Sequence, residues 1–204
     1  MKIICIGRNY SEHAKELHNP VPSEPVFFMK PDTALLRNNA PFFYPSFSKD
    51  VHHEVELVVR INKVGRSIGE KFASRYYSEV GLGVDFTARD VQQRCKEKGL
   101  PWEIAKAFDF SAPLSSQFLP LSEFDSVANI PFSLVKNGEV VQQGSTSEMI
   151  FSVDQIIAYV SKFVTLKIGD LIYTGTPSGV GPVAIGDRLQ GFIGNKQMFD
   201  FEVK

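Results

Sequence analysis

Two glutamates, Glu54 and Glu56, stand two positions apart in an otherwise apolar run of the chain. Successive side chains of a β-strand point to opposite faces, so in a strand these two carboxylates share one face, with roughly 7 Å between their Cα atoms. Like charges at that spacing repel each other unless water solvates them or a cation bridges them. The pair therefore predicts either an exposed polar strand face, which is the more common case, or part of a cation site.

A third carboxylate, Asp85, directly follows an apolar run over residues 81–84. Thr87, with Asp90 three positions later, has the spacing of a capping box for the next helix, which leaves Asp85 either as an alternative N-cap or without a structural task. Three carboxylates from two strands, with no cysteine among them, suit a hard cation such as Mg²⁺ or Mn²⁺. His52 lies on the same predicted strand face as the glutamates, so a histidine-containing zinc or iron site stays open.

A short helix is predicted to begin at Ser11, its N-cap, and to end at about His18. His13 and Glu16 are three positions apart on that helix and share a face. A carboxylate partner raises the basicity of a histidine and fixes its tautomer, as a general base for water activation requires. The alternative for this pair is an ordinary solvated helix face.

Two further segments carry groups that interact with anions. Lys106 follows a mostly apolar stretch over residues 101–105, which would partly desolvate its ammonium group, although a lone lysine is more often at the surface. The turn over residues 174–181 is rich in glycine and hydroxyl groups but contains neither a P-loop nor a dinucleotide-binding fingerprint. It offers backbone N–H groups and a threonine hydroxyl to a carboxylate, or it only reverses the chain.

Short apolar runs separated by proline and glycine predict the strands that position these groups. The runs cover residues 26–29, 41–45, 51–61, 80–84 and 171–173, and the Ile-Gly-Asp triplets at 168–170 and 185–187 open further ones. Gly99 is placed to end the helix that follows Thr87. Another helix is predicted to open at Ser152, with Gln155 completing a capping box and Ile156, Val160 and Phe163 as its apolar positions. The fold class is therefore a β-dominated α+β domain.

The composition narrows the possible functions. The chain has 204 residues, of which 43% are hydrophobic and 22% charged, as expected for one globular domain. Its net charge of −1 provides no long-range attraction for nucleic acid or for an anionic membrane surface. No apolar run is long enough to span a membrane. Two cysteines without C-x-x-C spacing and no signal-peptide pattern predict a reducing compartment, by default the cytoplasm.

Taken together and in order, these motifs resemble the fumarylacetoacetate hydrolase family. The segments are Gly7-Arg8-Asn9-Tyr10, His13 with Glu16, Glu54-x-Glu56, residues 85–90, Gly99-Leu100-Pro101-Trp102, Lys106 and residues 174–181. The resemblance covers essentially the whole chain and is greatest to the small single-domain subgroup with acylpyruvases and oxaloacetate decarboxylases. It implies a mixed β-sandwich roll over residues 1–204, a bound Mg²⁺ or Mn²⁺ ion, and usually a homodimer.

The resemblance also implies a role for each site residue. It assigns the metal to Glu54, Glu56 and Asp85. The catalytic groups would be His13 and Glu16, on a mobile lid of about residues 8–25 whose far hinge is residues 19–25, and Lys106. Gln92, Thr176 and, with less support, Arg8 match positions that contact the carboxylate or keto oxygens of the substrate.

The expected chemistry starts from a small 2-oxo acid that chelates the cation through its C1 carboxylate and C2 carbonyl. The cation, as a Lewis acid, stabilises the enolate that remains when the C3–C4 bond breaks. Oxaloacetate loses CO₂ without water, whereas an acylpyruvate needs water activated by His13 with Glu16, and Lys106 steadies the oxyanion. We therefore predict C–C cleavage of acylpyruvate or oxaloacetate that yields pyruvate.

Two alternatives stay open. The same metal site would also serve an isomerase or tautomerase that acts on 2-oxo/2-hydroxy-dienedioates or on oxaloacetate. A non-catalytic metal- or ligand-binding module would bind the metal without turning over any 2-oxo acid.

Overall fold

Short strands account for most of the regular structure in residues 1–16 and 20–204, which are the residues that the computed structural model describes. The strands are β1 (Ile3–Gly7), β2 (Val26–Lys30), β3 (Leu35–Leu36), β4 (Val51–His53), β5 (Val55–Arg60), β6 (Glu79–Val84), β7 (Thr87–Ala88), β8 (Ala112–Pro113), β9 (Leu119–Pro120), β10 (Pro131–Lys136), β11 (Glu139–Ser145), β12 (Leu171–Tyr173), β13 (Gly181–Pro182), β14 (Arg188–Ile193) and β15 (Lys196–Glu202). The α-helices are α1 (Ser11–Glu16), α2 (Glu70–Ala73), α3 (Arg89–Lys98), α4 (Glu103–Lys106) and α5 (Val153–Phe163). Single 3₁₀ turns occupy Asp32–Ala34, Ser74–Tyr76, Leu121–Glu123 and Thr146–Glu148.

The largest sheet brings the ends of several strands to one edge. Its order is β2-β1-β12-β5-β6-β9, and β1 pairs in parallel with β12 while the other neighbours are antiparallel. The chain therefore leaves β1 at Arg8 and β12 at Thr174 on the same edge. In the antiparallel pair of β5 and β6, Val55 lies opposite Val84, so Asp85 follows at that edge as well.

The second layer is a four-stranded sheet in the order β11-β10-β14-β15. Leu57 and Leu82 from the first sheet share one buried cluster with Leu134 and Leu189 from the second and with Ile156 from α5. Each such side chain contributes roughly 1.5–3 kcal/mol when it leaves water. The apolar cores of the two sheets are therefore continuous, and the predicted β-dominated α+β sandwich is confirmed.

The strand predicted over residues 51–61 is divided at Glu54. β4 belongs to a three-stranded sheet in the order β13-β4-β7, whereas β5 belongs to the six-stranded sheet. Because the chain changes sheets at this residue, the alternation of side chains between two strand faces does not continue from His52 to Glu56. His52 therefore need not share a face with the glutamates. Both faces of β5 are covered, and Glu54 and Glu56 are buried, so the exposed polar face that is the more common case is wrong here.

The start of α3 also differs from the prediction. Thr87 belongs to β7 and donates its hydroxyl proton to Glu54 Oε1 at 3.0 Å, so it does not cap the helix. The residue that precedes α3 is Ala88, which has no side-chain cap, and the Asp90 carboxylate accepts the backbone N–H of Val91 at 2.8 Å instead. The predicted end is confirmed, because Gly99 adopts φ +63°.

The other helix predictions hold at their N-termini. Ser152 and Gln155 form the reciprocal capping box at the start of α5, although Phe163, one of its predicted apolar positions, is largely exposed. α1 begins at Ser11 as predicted, while its predicted end near His18 and the hinge position Asn19 lie outside the described residues. In the described part of the chain, no helix has the length and apolar character needed to cross a bilayer.

Candidate metal centre and active site

One pocket at the shared edge of the sheet collects nearly all the residues that the sequence singles out. Its lining includes eight of them: Arg8, His13, Glu54, Glu56, Asp85, Gln92, Lys106 and Thr176. The ninth, Glu16, does not line the pocket but contacts the imidazole of His13. The pocket therefore places a possible cation site, a possible base and several hydrogen-bond donors within reach of one small ligand.

The three predicted metal ligands form a buried cluster. Glu54, Glu56 and Asp85 each offer a carboxylate oxygen, and these atoms lie within 4.8 Å of one another. Glu54 is 5% exposed and the other two are 1% exposed, so bulk water solvates their charges little. An all-oxygen set of this kind suits hard divalent cations.

Two of these carboxylates have strongly perturbed acidities. The pKa of Glu56 is raised well above its usual value, first by burial and then by the charges of Asp85 and Glu54. Burial also acts to raise the pKa of Glu54, but the positive charges of Lys106 and Arg89 outweigh it and hold that pKa well below its usual range. A cation beside Glu56 would offset the neighbouring negative charges that raise this pKa.

Three cationic side chains surround the cluster. Lys106 Nζ donates to Glu54 Oε2 and to Asp85 Oδ2, both at 2.8 Å. Arg89 Nη2 donates to Glu54 Oε1 at 2.6 Å, and Lys30 Nζ lies 2.7 Å from Asp85 Oδ1. Burial acts to lower the pKa of Lys106, but Asp85 and Glu54 overcome it and raise that pKa. Lys106 is thus desolvated, as expected, and keeps its charge because its partners are anions.

The chemistry of the donor set tests whether a cation fits. Glu54, Glu56 and Asp85 turn carboxylate oxygens toward one point, within 4.8 Å of one another, and no nitrogen or sulfur atom belongs to the cluster found within the described residues. Lys30 Nζ, 2.7 Å from Asp85 Oδ1, also donates to the carbonyl oxygens of Phe86 and Ser111 and to the Ser111 hydroxyl, at 2.9–3.3 Å. Converging carboxylate oxygens of this kind fit a divalent cation.

The alternative of a histidine-containing metal site is not supported. His52 Nε2 lies 2.9 Å from Asp50 Oδ1, and His53 Nδ1 lies 2.9 Å from Gln142 Oε1. Neither histidine joins the carboxylate cluster found within the described residues. The division of the strand at Glu54 is the reason, because it ends the alternation that would have aligned His52 with the glutamates.

His13 and Glu16 form a bonded pair at the pocket. His13 is 5% exposed, and its Nδ1 lies 3.1 Å from Glu16 Oε2. The other Glu16 oxygen accepts the backbone N–H of Gly179 at 3.0 Å, which connects α1 to the turn over residues 174–181. The base of α1 is anchored by Asn9, whose amide donates to Thr174 O at 2.8 Å. This arrangement orients the imidazole into the pocket, unlike a solvated helix face.

The glycine-rich turn uses its backbone to position carboxylates of the protein itself. Gly175 has φ +101° and donates its N–H to Glu56 Oε2 at 2.8 Å, and a Cβ there would lie 2.7 Å from Asn9 Cβ. The Thr176 hydroxyl donates to Val55 O at 2.9 Å. Its proton is therefore already used, so Thr176 has its backbone N–H, rather than its hydroxyl, to donate to a ligand.

Two predicted substrate contacts differ in how they are held. Arg89 Nη1 donates to Gln92 Oε1 at 2.9 Å, which leaves the amide N–H₂ of Gln92 as the group that can donate to a ligand. Arg8 lines the pocket with a left-handed backbone, φ +60°, which is strained for a residue with a side chain. Such strain is concentrated at functional positions, which agrees with the predicted role of Arg8.

The comparison with a family model decides the affiliation of the chain. The model described as fumarylacetoacetate (FAA) hydrolase C-terminal matches residues 2–202. The chain belongs to this family. The fold class that the resemblance implied is thereby confirmed. The prediction that the protein is an enzyme is confirmed as well.

Members of the fumarylacetoacetate hydrolase family resemble the chain over nearly its full length. A mitochondrial oxaloacetate tautomerase of Bos taurus is 46% identical over 202 residues, which are 99% of this chain and 91% of that protein. A mitochondrial oxaloacetate decarboxylase of Dictyostelium discoideum is 44% identical over 204 residues, covering 99% of this chain and 93% of that protein. The crystal structure of fumarylpyruvate hydrolase from Pseudomonas aeruginosa in complex with Mn²⁺ and pyruvate has a TM-score of 0.93 and 38% identity, covering 100% of this chain and 89% of that one.

Sequence reasoning missed three residues of this family member's site. Arg89 lies inside the motif over residues 85–90, yet nothing local shows that it pairs with Glu54. Lys30 closes the apolar run of β2 and is the one buried residue of that strand, and a lysine that directly follows an apolar run is the signal that would have drawn attention to it. Gln142 carries no signal in the sequence. Its role is visible only in the structure.

Proposed function

We propose that the protein uses Mg²⁺ or Mn²⁺ to cleave a C–C bond of a small 2-oxo acid, by acylpyruvate hydrolysis or oxaloacetate decarboxylation, and releases pyruvate. The observation that carries this proposal is that one pocket contains both the buried carboxylate cluster and the His13–Glu16 pair. When bound by Glu54, Glu56 and Asp85, the cation supplies Lewis acidity that stabilises negative charge on the oxygens of a 2-oxo acid. The His–Glu pair adds a base, which a metal-binding module does not require.

His13 is the proposed general base. Because Glu16 binds Nδ1, the other ring nitrogen, Nε2, is the one left to accept a proton from water. The Glu16 carboxylate stabilises the imidazolium that forms, and the Gly179 N–H keeps that carboxylate in place. Water activated in this way attacks the C4 carbonyl of an acylpyruvate, whereas decarboxylation of oxaloacetate does not need it.

Lys106 is the proposed donor to the developing oxyanion. Two of its three N–H groups are directed to Glu54 and Asp85, which leaves one for the substrate. The same carboxylates raise its pKa, so the ammonium remains a donor at neutral pH. Gln92, through its amide N–H₂, and Thr176, through its backbone, are the proposed contacts of the carboxylate and keto oxygens.

The remaining cations of the pocket favour a dianionic substrate. Within the described ranges, Arg8 and Lys96 line the pocket and have no carboxylate at salt-bridge distance, unlike Lys106 and Arg89. Lys96 extends over Trp102, with Nζ 5.7 Å from the ring centroid. A substrate with a second carboxylate, such as oxaloacetate, would supply the charge that these two side chains lack.

Keto–enol tautomerisation of oxaloacetate is the second candidate function, with isomerisation of a 2-oxo/2-hydroxy-dienedioate in the same class. The name of the Bos taurus relative favours it. In this reaction a base such as His13 would take a proton from C3 and the oxygen on C2 would gain one, or the reverse, while no water adds and the C3–C4 bond stays intact. The same pocket residues serve both reactions.

Assembly and location complete the proposal. Residues 1–204 form one catalytic domain with about residues 8–25 as its lid, two copies form a homodimer, and the protein works in the cytoplasm. Cys5 and Cys95 are both free and buried, which is consistent with a reducing compartment. Neither nucleic acid nor a membrane is a proposed partner.

The test is ¹H NMR of the metal-stripped protein with acetylpyruvate and, separately, with oxaloacetate, before and after addition of Mg²⁺. A sample of Mg²⁺ without protein corrects for decarboxylation by the metal alone, and the Glu56→Gln variant serves as a control with a disabled site. Pyruvate that forms only with protein and metal supports C–C cleavage. Faster keto–enol exchange without pyruvate supports the tautomerase. Metal binding without either change would contradict C–C cleavage of these two acids and the oxaloacetate tautomerase, and a 2-oxo/2-hydroxy-dienedioate would then be the next substrate to test.

A further inference from the structure

Gln142 is a buried polar residue in the second sheet, outside the strands that carry the carboxylates. It lies on β11, an edge strand, and is 2% exposed, whereas the next residue, Gln143, is exposed to solvent. Opposite β10, the register of β11 shifts between Val140 and Gln142, so Val141 is an extra residue. Such a β-bulge redirects the side chains beyond it, and here Gln142 turns toward the active site.

The amide of Gln142 makes four hydrogen bonds in two directions. Its Oε1 lies 2.9 Å from His53 Nδ1 and accepts the backbone N–H of Val55 at 3.0 Å. Its Nε2 donates to Thr176 Oγ1 at 2.8 Å and to Pro177 O at 3.0 Å. All four hydrogen-bonding positions of the amide are filled, which is what a buried polar group needs to be stable.

The two ends of this network flank the metal ligands. His53 and Val55 are the immediate neighbours of Glu54, at the point where the chain passes from β4 to β5. Thr176 and Pro177 follow Gly175, whose N–H binds Glu56. One side chain therefore connects the segment that presents Glu54 to the turn that positions Glu56.

The turn also lies directly against β11. Gly179 has φ +95°, and a Cβ at this position would collide with the carbonyl oxygen of Val141. Its N–H is the donor that binds Glu16. The bulge of β11 thus supports the turn over residues 174–181. That turn binds Glu56 through the Gly175 N–H and binds Glu16, the partner of His13, through the Gly179 N–H.

We propose that Gln142 is a positioning residue of the metal centre, which sets the distance between the Glu54 segment and the turn over residues 174–181. Only a primary amide fits, because it accepts two hydrogen bonds on one side and donates two on the other. Methionine has a similar shape but makes none of these bonds. The inference rests on the divalent-cation site of the proposed function and is independent of which 2-oxo acid is the substrate.

The experiment measures Mn²⁺ binding to the full chain by electron paramagnetic resonance, together with the spectrum of the bound ion. In Gln142→Met, the dissociation constant for Mn²⁺ is expected to rise by about 10- to 100-fold, the usual effect of removing a group that orients metal ligands. The signal of the ion that still binds should broaden or shift. Gln143→Met, the same change at the exposed neighbour, should leave both readouts as in the parent protein.

A second variant keeps the inference testable if Gln142→Met fails to fold. Thr176→Val changes the shape little and removes two hydrogen bonds, the one from the Gln142 amide and the one that the Thr176 hydroxyl donates to Val55 O. It breaks two bonds of the network where Gln142→Met breaks four, so it should weaken Mn²⁺ binding in the same direction but by less. If the two variants fold, their combined effect should be smaller than the product of the single effects, since both break one network.

The failure of this inference differs from the failure of the proposed function. If Gln142→Met lowers the unfolding temperature while Mn²⁺ affinity and spectrum stay as in the parent, Gln142 is merely structural and the inference is wrong. If the parent protein binds no Mn²⁺, the inference is equally wrong. If the parent binds Mn²⁺ but turns over no 2-oxo acid, the proposed function fails, while the binding data still decide the role of Gln142.

Discussion

The two walls of the pocket differ in how many hydrogen-bond donors hold their side chains. Donors from several elements hold the carboxylates of one wall, which are Glu54, Glu56 and Asp85. Few donors hold the pair on the other wall, His13 and Glu16. Each of the three carboxylates has at least one such donor, and the donors are Lys30, Lys106, Arg89, Thr87 and Gly175. In the described residues, Glu16 is bound by His13 and by the backbone N–H of Gly179. We call these two sets the carboxylate wall and the dyad wall.

The difference follows from burial. A buried charge without partners is very costly, so the carboxylate wall must be surrounded by cations and N–H groups before the protein can fold. The side chain of Glu16 is 33% exposed, so water shares in its solvation and fewer partners suffice. The proposed metal affinity therefore belongs to one wall and the proposed proton transfer to the other, so mutations should separate the two effects.

The largest expected effect is on the dyad wall. His13→Ala should reduce acylpyruvate hydrolysis by about 10²- to 10⁴-fold, because a general base contributes that much to the rate. Oxaloacetate decarboxylation, which needs no activated water, should fall far less. Initial rates measured with both substrates check this. Lys15→Ala, an exposed change on the same helix, is the control, and a His13 variant that hydrolyses acylpyruvate normally would show that the base is misassigned.

A mutation in the carboxylate wall should change metal binding and stability, whereas the mutation in the dyad wall changes the rate of hydrolysis. Glu56→Gln should weaken Mn²⁺ binding by at least about 100-fold, since it removes a ligand. At alkaline pH, where Glu56 is ionised, it should also raise the unfolding temperature of the metal-free protein by about 2–4 °C, because one of three mutually repelling buried carboxylates becomes neutral. Titration calorimetry and thermal unfolding measure the two effects. Glu139→Gln on the surface should change neither, and a less stable metal-free Glu56→Gln protein would argue against the repulsion.

The raised pKa of Glu56 makes the metal effect depend on pH. In the metal-free protein, its folded pKa exceeds the unfolded value, so its contribution favours the folded state at low pH and is lost as pH rises through the folded pKa. Metal binding requires the deprotonated group, so the affinity should rise by up to about tenfold per pH unit below that pKa. The increase in unfolding temperature on adding Mg²⁺ should therefore grow as the pH rises from the usual titration range of a glutamate toward the raised pKa of Glu56. An increment that shrinks over this range would contradict the assignment.

The smallest expected effect lies at the mouth of the pocket, where neither wall is altered. Lys96→Met should raise KM for oxaloacetate by about two- to fivefold, as expected for an exposed charge, and leave kcat nearly unchanged. Acetylpyruvate has no second carboxylate, so its KM should stay the same. Steady-state kinetics with both substrates decide this, with Lys98→Met, also exposed on α3, as the control. Equal changes of KM for the two substrates would show that Lys96 does not bind the second carboxylate of oxaloacetate.

The sequence alone located most of the candidate site. The Glu54-x-Glu56 spacing, the apolar run before Asp85, and the three-residue spacing of His13 and Glu16 are local signals that the sequence displays by itself. Helix ends such as Gly99 and Ser152 were predictable for the same reason, since a cap is satisfied within a few residues. The family resemblance then supplied the roles that spacing left open.

Tertiary structure decided how those residues are held. Gly175 binds Glu56 across 119 positions of sequence, and Gln142 reaches His53 across 89. Thr87 binds Glu54 instead of capping α3, and His52 turns to Asp50 because the strand is divided at Glu54. Propensities and spacing act over one or two helical turns or one strand. The partners of buried charges are chosen by which strands the packed sheets bring together.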